Sequence, residues 1–337
     1  MGVQRMSGNN NSKLKLLRIY DILCEKSDEE HPLSASDISA ELSLFGINSE
    51  RKSVYSDISV LQSYGYDIIK VSQPKKGFYV GDRDFQIAEV RLLIDAVQSA
   101  KFITEHKTEE LISKIEKRLS RYQREMLSKQ VYVDHRNKNG NEKIYYTIDS
   151  LSQAITEKKK VRIHYIKRRI ETGERPKNEE HVYIVTPYAL IWSNDYYYLV
   201  CNNNKYDNLM HLRIDKIIST KVLPDDGRPI SEVSKYKNAF DAADYASKVF
   251  NMYSGSPERI SLICANSLWD TVRDRFGEDV MVIERTNETF TIATTAALSE
   301  GLTAWILQYA DRMKVESPRS LKDEVLEKAR ATVAAYE

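Results

Sequence analysis

Residues 185–217 limit the possible folds of this chain more than any other stretch. They read VTPYALIWSNDYYYLVC, a short Asn-rich break, then MHLRIDKI. These are two β-type runs, one aromatic and one carrying Arg213, Asp215 and Lys216. Successive side chains on a strand point to opposite faces. Tyr196, Tyr198 and Val200 are therefore expected on one face, and Tyr197, Leu199 and Cys201 on the other. In the second run His211, Arg213 and Asp215 are expected to share a face. A small sheet that sets tyrosines beside an arginine can hold something flat or anionic. The competing reading is a sheet whose tyrosines pack a core around an internal Arg–Asp pair.

At 337 residues the chain is long for one core, and two to three domains are expected. Fifty basic against 49 acidic residues leave a net charge of +1, so total charge does not point to nucleic acid and only its distribution can. Cys24, Cys201 and Cys264 lie far apart with no C-x-x-C, which argues against a disulfide framework or a cysteine zinc site and fits a reducing cytoplasm. No apolar run approaches the ~18 residues of a membrane span. The first residues, MGVQRMSGNNN, lack the apolar core of a signal peptide, and Met6 breaks the myristoylation pattern.

Ahead of the β-rich part the apolar period is helical. Residues 13–26 carry Leu14, Leu17 and Cys24 on one side, with Leu16, Tyr20 and Leu23 beside them. Ser34-Ala35-Ser36-Asp37 is an N-cap-rich start to a second helix that buries Ile38 and Leu42. A third helix is expected over about 49–64, with Val54, Ile58 and Leu61 at the spacing of one buried stripe. Its outward face would be Ser49, Lys52, Ser56 and Ser59, flanked by Ser53 and Tyr55. After Gly65 come two short β-type runs, 66–71 and 77–80, joined by 72–76. Three helices and a hairpin in this order form a winged helix-turn-helix, whose third helix enters the DNA major groove. Residues 1–80 hold ten cations and ten anions, but the signs are sorted. Acidic residues fall on the first two helices and their connection, whereas Arg51, Lys52, Lys75 and Lys76 fall at the third helix start and the hairpin tip. The competing reading is a protein-interaction module, against which the polar, small-residue outward face speaks.

The string E-R-K-S-V-Y-S-D-I-S-V-L-Q-S-Y-G-Y followed by G-F-Y-V resembles the DeoR-like winged helix of bacterial WYL-domain transcription factors. Lys52, Ser53, Tyr55 and Asp57 fall on matching positions, and Ser56 stands where a basic residue is common. The resemblance implies a double-stranded operator DNA partner. The expected contacts are Ser49, Arg51, Lys52, Ser53, Tyr55 and Ser56, with Lys75 and Lys76 on phosphate.

Residues 84–105 and 108–127 read as two amphipathic helices, a connector that could also pair with a second subunit. Residues 131–146 are polar and read as a hairpin or loop. Ser150 with Gln153 suggests a capping box for a helix over 151–159. Strands are expected at 161–166 and 181–186, on either side of a polar excursion. Between Lys158 and Lys177 stand nine cations and two glutamates, an excess outside the helix-turn-helix that DNA reading there does not explain. The V-R-I-H-Y entry, the Pro187 strand, Y-Y-L and L-R-I-D-K-I resemble the WYL domain, an Sm-like, SH3-type small β-barrel. Tyr197 stands at the Trp of the family name and Lys216 at an Arg. Residues 224–257 look linker-like, with a helix over 241–253. From 260 the order is β-α-β-β-α-β plus a last helix, a ferredoxin-like pattern, with Asn266 and Ser299 as N-caps. That end resembles the WCX extension of WYL regulators.

The expected fold is thus α+β and multidomain. A winged helix-turn-helix spans 12–82, a helical connector 83–148, a WYL sensor 149–225, a linker with a helix 226–257, and a ferredoxin-like WCX domain 258–337. The six histidines show no metal-ligand spacing, and neither a G-x-S-x-G nor a phosphate-binding glycine loop occurs. No enzyme, cofactor or metal is expected, and no membrane. The resemblance implies a cytoplasmic homodimeric regulator with an anionic effector, a nucleotide or single-stranded nucleic acid. The expected cradle is Tyr165, Tyr198, Arg213 and Lys216, with His164, His181 and His211 as further candidates. The alternative is a ligand-independent regulator whose WYL domain contacts RNA polymerase or another protein.

Overall fold

A computed structural model describes residues 8–73, 75–128, 138, 140–170, 175, 177–236 and 240–337, with backbone alone for 8–12. The chain is a mixed α+β protein with three small sheets, divided into two compact units, Met1–Gly140 and Asn141–Glu337.

In the first unit α1 (Gly8–Lys26), α2 (Ala35–Leu44) and α3 (Arg51–Tyr64) precede the antiparallel pair β1 (Ile68–Val71) and β2 (Gly77–Val80). Ser34 and Asp37 form the expected capping box of α2. The stripe Val54, Ile58 and Leu61 closes onto Ile19, Leu23, Ile38, Leu42 and Phe78. Each such side chain is worth ~1.5–3 kcal/mol on burial. Gly65 ends α3 at φ +116, a conformation that L side chains avoid. Gly77 is needed for a different reason. Leu33 bridges Phe78, and a Cβ at 77 would meet the Leu33 carbonyl carbon and oxygen at 2.8 Å.

The connector differs from the sequence expectation. It forms three helices, α4 (Ile87–Ser99), α5 (Glu105–Glu116) and α6 (Arg121–Ser128). The expected long second helix breaks before Ser120. The Ser120 hydroxyl accepts from the Gln123 N–H, and the Gln123 side chain accepts from the Ser120 N–H, so a capping box starts a new helix there. The Ser120 hydroxyl also donates to buried Asp28 at 2.7 Å. Of the hairpin or loop expected over 131–146, residues 131–137 and 139 lie outside the described residues, and 144–146 belong to the next helix rather than to a loop.

In the second unit α7 (Ile144–Thr156) starts seven residues earlier than its expected first residue. Its buried stripe Ile144, Thr147, Leu151 and Ala154 puts Ser150 inside the helix rather than at its cap. Five strands follow: β3 (Lys159–Arg169), β4 (Lys177–Ser193), β5 (Tyr196–Asn203), β6 (Met210–Arg213) and β7 (Ile217–Asp226). Their sheet order is β6-β5-β4-β3-β7. A flat five-stranded sheet would hold its two edge strands about 19 Å apart. The 3-10 turn Ile214–Lys216 joins those edges in four residue steps, at most about 14 Å. The sheet therefore curls toward closure around Val161, Ile163, Val185, Leu199, Leu212 and Ile217, all buried.

Two expectations for this sheet are corrected. The aromatic run is a hairpin and not one strand: Ser193 pairs with Tyr196 across Asn194 and Asp195, both at positive φ. Such two-residue turns match the strand twist, and Asn and Asp tolerate the conformation. The second run stops being a strand at Arg213, so Asp215 does not share a strand face with it.

The described residues of 226–257 pack on the sheet rather than forming a bare linker, and the helix expected there is present but shorter. Asp241 caps α8 (Ala242–Lys248), and Val233, Tyr245, Val249 and Met252 pack on Val200 and Ile191 of the sheet. Beyond it β8 (Ser256–Ala265), α9 (Trp269–Phe276), β9 (Met281–Arg285), β10 (Thr289–Leu298), α10 (Glu300–Leu307), β11 (Met313–Ser317) and α11 (Arg319–Tyr336) keep the expected order. The antiparallel sheet runs β11-β8-β10-β9. Ser299 caps α10 as expected, its hydroxyl accepting from Leu302 N–H. Asn266 does not cap a helix; its side-chain amide donates to the Asn287 carbonyl.

Candidate functional site

On α3, Arg51, Lys52, Tyr55 and Ser56 are exposed, because the buried stripe at 54, 58 and 61 turns them outward. Arg51, Lys52 and Lys76 have no ion-pair partner among the described residues. Three other expected contacts are paired internally or turned inward. Ser53 faces α1, where Lys15 Nζ donates to its hydroxyl at 2.6 Å and lies 2.7 Å from Asp57. Ser49 is half-buried, its hydroxyl without a hydrogen-bond partner and its carbonyl accepting from Ser39. Lys75 Nζ sits 2.6 Å from Asp37 and holds that carboxyl below the usual range. The expected separation of signs is therefore incomplete at the hairpin. Tyr55 meets Phe78 edge-on at 5.4 Å, and Lys70 Nζ sits 5.5 Å from its ring centroid. Lys70 on β1 went unnoticed because only the fold brings it to α3.

The second cluster forms where β6 runs into the 3-10 turn. Arg213 Nε and Nη2 donate to the two Asp215 oxygens at 3.0 and 2.6 Å, a bidentate pair. Its guanidinium carbon lies 3.4 Å from the Tyr196 ring centroid. The register Tyr198↔Arg213 puts Tyr198 directly opposite and Tyr196 on the diagonal. Tyr165, on β3, has its hydroxyl near the Arg213 backbone, and burial pushes that hydroxyl up to about 12. Burial also raises Tyr198. Burial, then repulsion from Arg213, lowers Lys216; Arg168 and Lys167 add to that repulsion while Asp215 opposes it. Arg213 and Lys216 thus stand beside Asp215, with Lys167 and Arg168 close enough to act on Lys216. The sequence puts Tyr196 on the face of Tyr198 but not in the cradle, and it misses Lys167 and Arg168, because their proximity to Arg213 depends on strand register.

The histidines behave differently. His211 packs against α8, with Nδ1 2.6 Å from the Met252 carbonyl and Nε2 2.8 Å from the Tyr245 hydroxyl. Burial lowers it to about 4, so the ring is neutral, donates from Nδ1 and accepts the Tyr245 O–H. Both nitrogens are occupied internally, which removes His211 from the expected cradle. His164 and His181 are not brought together. His164 pairs with Val182 on one sheet face, and His181 pairs with Tyr165 on the other. His164 Nδ1 is 2.5 Å from Glu180, and His181 stacks near Tyr183 with ring centroids 6.1 Å apart.

Residues 146–222 match the WYL domain and residues 256–333 match the WCX domain, so both domains are present. No curated protein matches the chain. Among solved structures it is similar to proteasome accessory factor B/C (PafBC) of Arthrobacter aurescens, at 15% identity and a TM-score of 0.27 over 95% of this chain. It spans 46% of that protein's length. A structure titled as a CRISPR Cas-related protein is 12% identical at a TM-score of 0.36, over 100% of this chain and 88% of that one. No helix among the described residues is long and apolar enough to cross a membrane. No group of three or more His, Cys, Asp and Glu among them could hold a metal.

Proposed function

We propose that this protein is a DNA-binding transcriptional regulator whose WYL domain binds an anionic effector. The observation that carries the reading is the α3 face, where Arg51 and Lys52 stand exposed and unpaired beside Tyr55 and Ser56. In this reading α1 to β2 form a winged helix-turn-helix of the DeoR-like kind. Helix α3 enters the major groove, its N-terminal residues reach base edges, and Lys76 meets phosphate. The five-stranded sheet is an Sm-like barrel and the last unit is ferredoxin-like. The chain acts in the cytoplasm as a homodimer on duplex operator DNA, and it is not an enzyme.

The effector is a nucleotide or a short single-stranded nucleic acid. Its phosphate meets Lys216 and Arg213, and in reaching Arg213 it competes with Asp215 for the guanidinium. Effector control requires that the anion bind one arrangement of the protein more tightly than another. The test is selection of bound duplexes from a random library, with the parent chain and with Arg51→Ala/Lys52→Ala. A sequence enriched by the parent and lost in the variant supports the reading. Equal enrichment by both places the DNA contact elsewhere.

A further inference from the structure

The basic run through residues 158–177 has no full role in either cluster. Strands β3 and β4 pair from Val161↔Val185 out to Arg169↔Lys177. Their other neighbours stop sooner: β7 leaves β3 at Tyr165↔Ile217, and β5 leaves β4 at Val185↔Asn203. Residues 166–169 and 177–180 therefore run on as a two-stranded ribbon, each strand with one edge unpaired among the described residues. Bare edges invite wrong pairing, and a single lysine is a common guard. This ribbon carries more than a guard. On its paired residues Lys167, Arg168, Arg169 and Lys177 stand against Glu179 and Glu180. Glu180 meets His164 at 2.5 Å, and Glu179 meets Arg169 at 3.5 Å. Lys167 and Arg168 have no carboxylate in ion-pair range among the described residues, and both repel Lys216. Lys167 has Glu179 as its cross-strand neighbour, but cations still outnumber carboxylates on this element, at a cost in stability that a polyanion would offset.

We propose that the β3–β4 ribbon is a second contact of this chain with duplex DNA, made through its cations to phosphate. A two-stranded ribbon fits the major groove, and lysine and arginine neutralise phosphate whatever the sequence. A single strand is the weaker fit. Sequence-tolerant single-strand binding uses aromatic stacking platforms, and residues 166–170 and 177–180 contain no aromatic side chain. The inference rests on the duplex-binding reading for its ligand, but not on α3 for its residues.

The experiment is fluorescence anisotropy of the full chain on a random-sequence duplex across a salt series. It compares the parent, Lys167→Gln/Arg168→Gln, and the charge-keeping Lys167→Arg/Arg168→Lys. Loss of two phosphate contacts lowers the slope of log affinity against log salt by about 1.8. The parent's advantage over the Gln variant then shrinks about 12-fold between about 50 and 200 mM salt. The charge-keeping variant restores the parent slope, and the sequence selected through α3 is unchanged in both. An unchanged slope in the Gln variant overturns the ribbon contact and leaves the α3 reading standing. So does an unchanged slope with new aggregation, which would assign the cations to edge protection. A slope change on a single-stranded oligonucleotide alone overturns the duplex assignment. A parent chain that binds no duplex overturns both readings.

Discussion

Acidification should destabilise the second unit through His211 before most of its carboxylates titrate. The imidazole is held neutral by burial, with its pKa near 4 in the folded chain against ~6.5 when unfolded. The folded state thus binds fewer protons than the unfolded state between those values, so stability falls as the pH drops through ~6.5 and levels off below about 4. From pH ~7.5 to ~5 the loss is about 2 kcal/mol, and it reaches about 3 kcal/mol when complete. Urea unfolding followed by tryptophan fluorescence isolates this unit, because Trp192, Trp269 and Trp305 all lie within it. His211→Gln should be less stable than the parent at neutral pH by ~1–3 kcal/mol, having lost its bonds to Met252 and Tyr245. Its stability should nevertheless be flatter than the parent's by about 2 kcal/mol over the same pH range. A parent with no slope between pH ~7.5 and ~5, or a variant with the same slope, would refute the buried neutral ring. Either result would return His211 to the set of groups able to meet an anion.

Other substitutions separate the two units. Arg213→Ala removes the bidentate partner of nearly buried Asp215 and should cost about 2–3 kcal/mol in the same urea assay. It should also abolish any effector response while duplex binding through α3 persists, as anisotropy would show. Gly77→Ala forces a Cβ onto the Leu33 carbonyl and should destabilise the first unit by about 2–4 kcal/mol, read by loss of amide protection in β1 and β2. Ser120→Ala removes the α6 cap and leaves a buried Asp28 oxygen without its donor, so about 1–3 kcal/mol should be lost from that unit by hydrogen exchange in α6.

What could be read in the sequence was local. The stripe at 54, 58 and 61, the Ser34–Asp37 box and the strand–helix alternation after 258 each lie within a few residues, and short-range periodicity encodes them. The misreadings have a common cause. Asn194–Asp195 looked like part of a continuous aromatic strand, because its turn signal is two residues long and flanked by strong β-formers. The break before Ser120 was hidden by apolar residues that kept helical spacing across it. Residues 226–257 looked like linker because Val233, Tyr245 and Met252 are sparse, and their partner surface, Val200 and Ile191, lies far away in sequence. Site residues followed the same rule. Arg213 was visible by type, but Tyr196 beneath it and Lys167 nearby required the register of β3, β5 and β6. His211 was misplaced because a histidine beside tyrosines looks the same in sequence whether it faces a ligand or a packed helix.

The most direct measurement is reciprocal coupling between DNA and effector. A panel of nucleotides and short oligonucleotides is screened for the tightest binder whose binding requires Arg213. Its affinity is then measured by calorimetry with and without saturating operator duplex, and operator affinity is measured with and without that anion. A regulator requires the two affinity ratios to be equal, typically about 5- to 150-fold, and to vanish in Arg213→Ala. Tight binding of both ligands with ratios of one would contradict effector control of DNA binding.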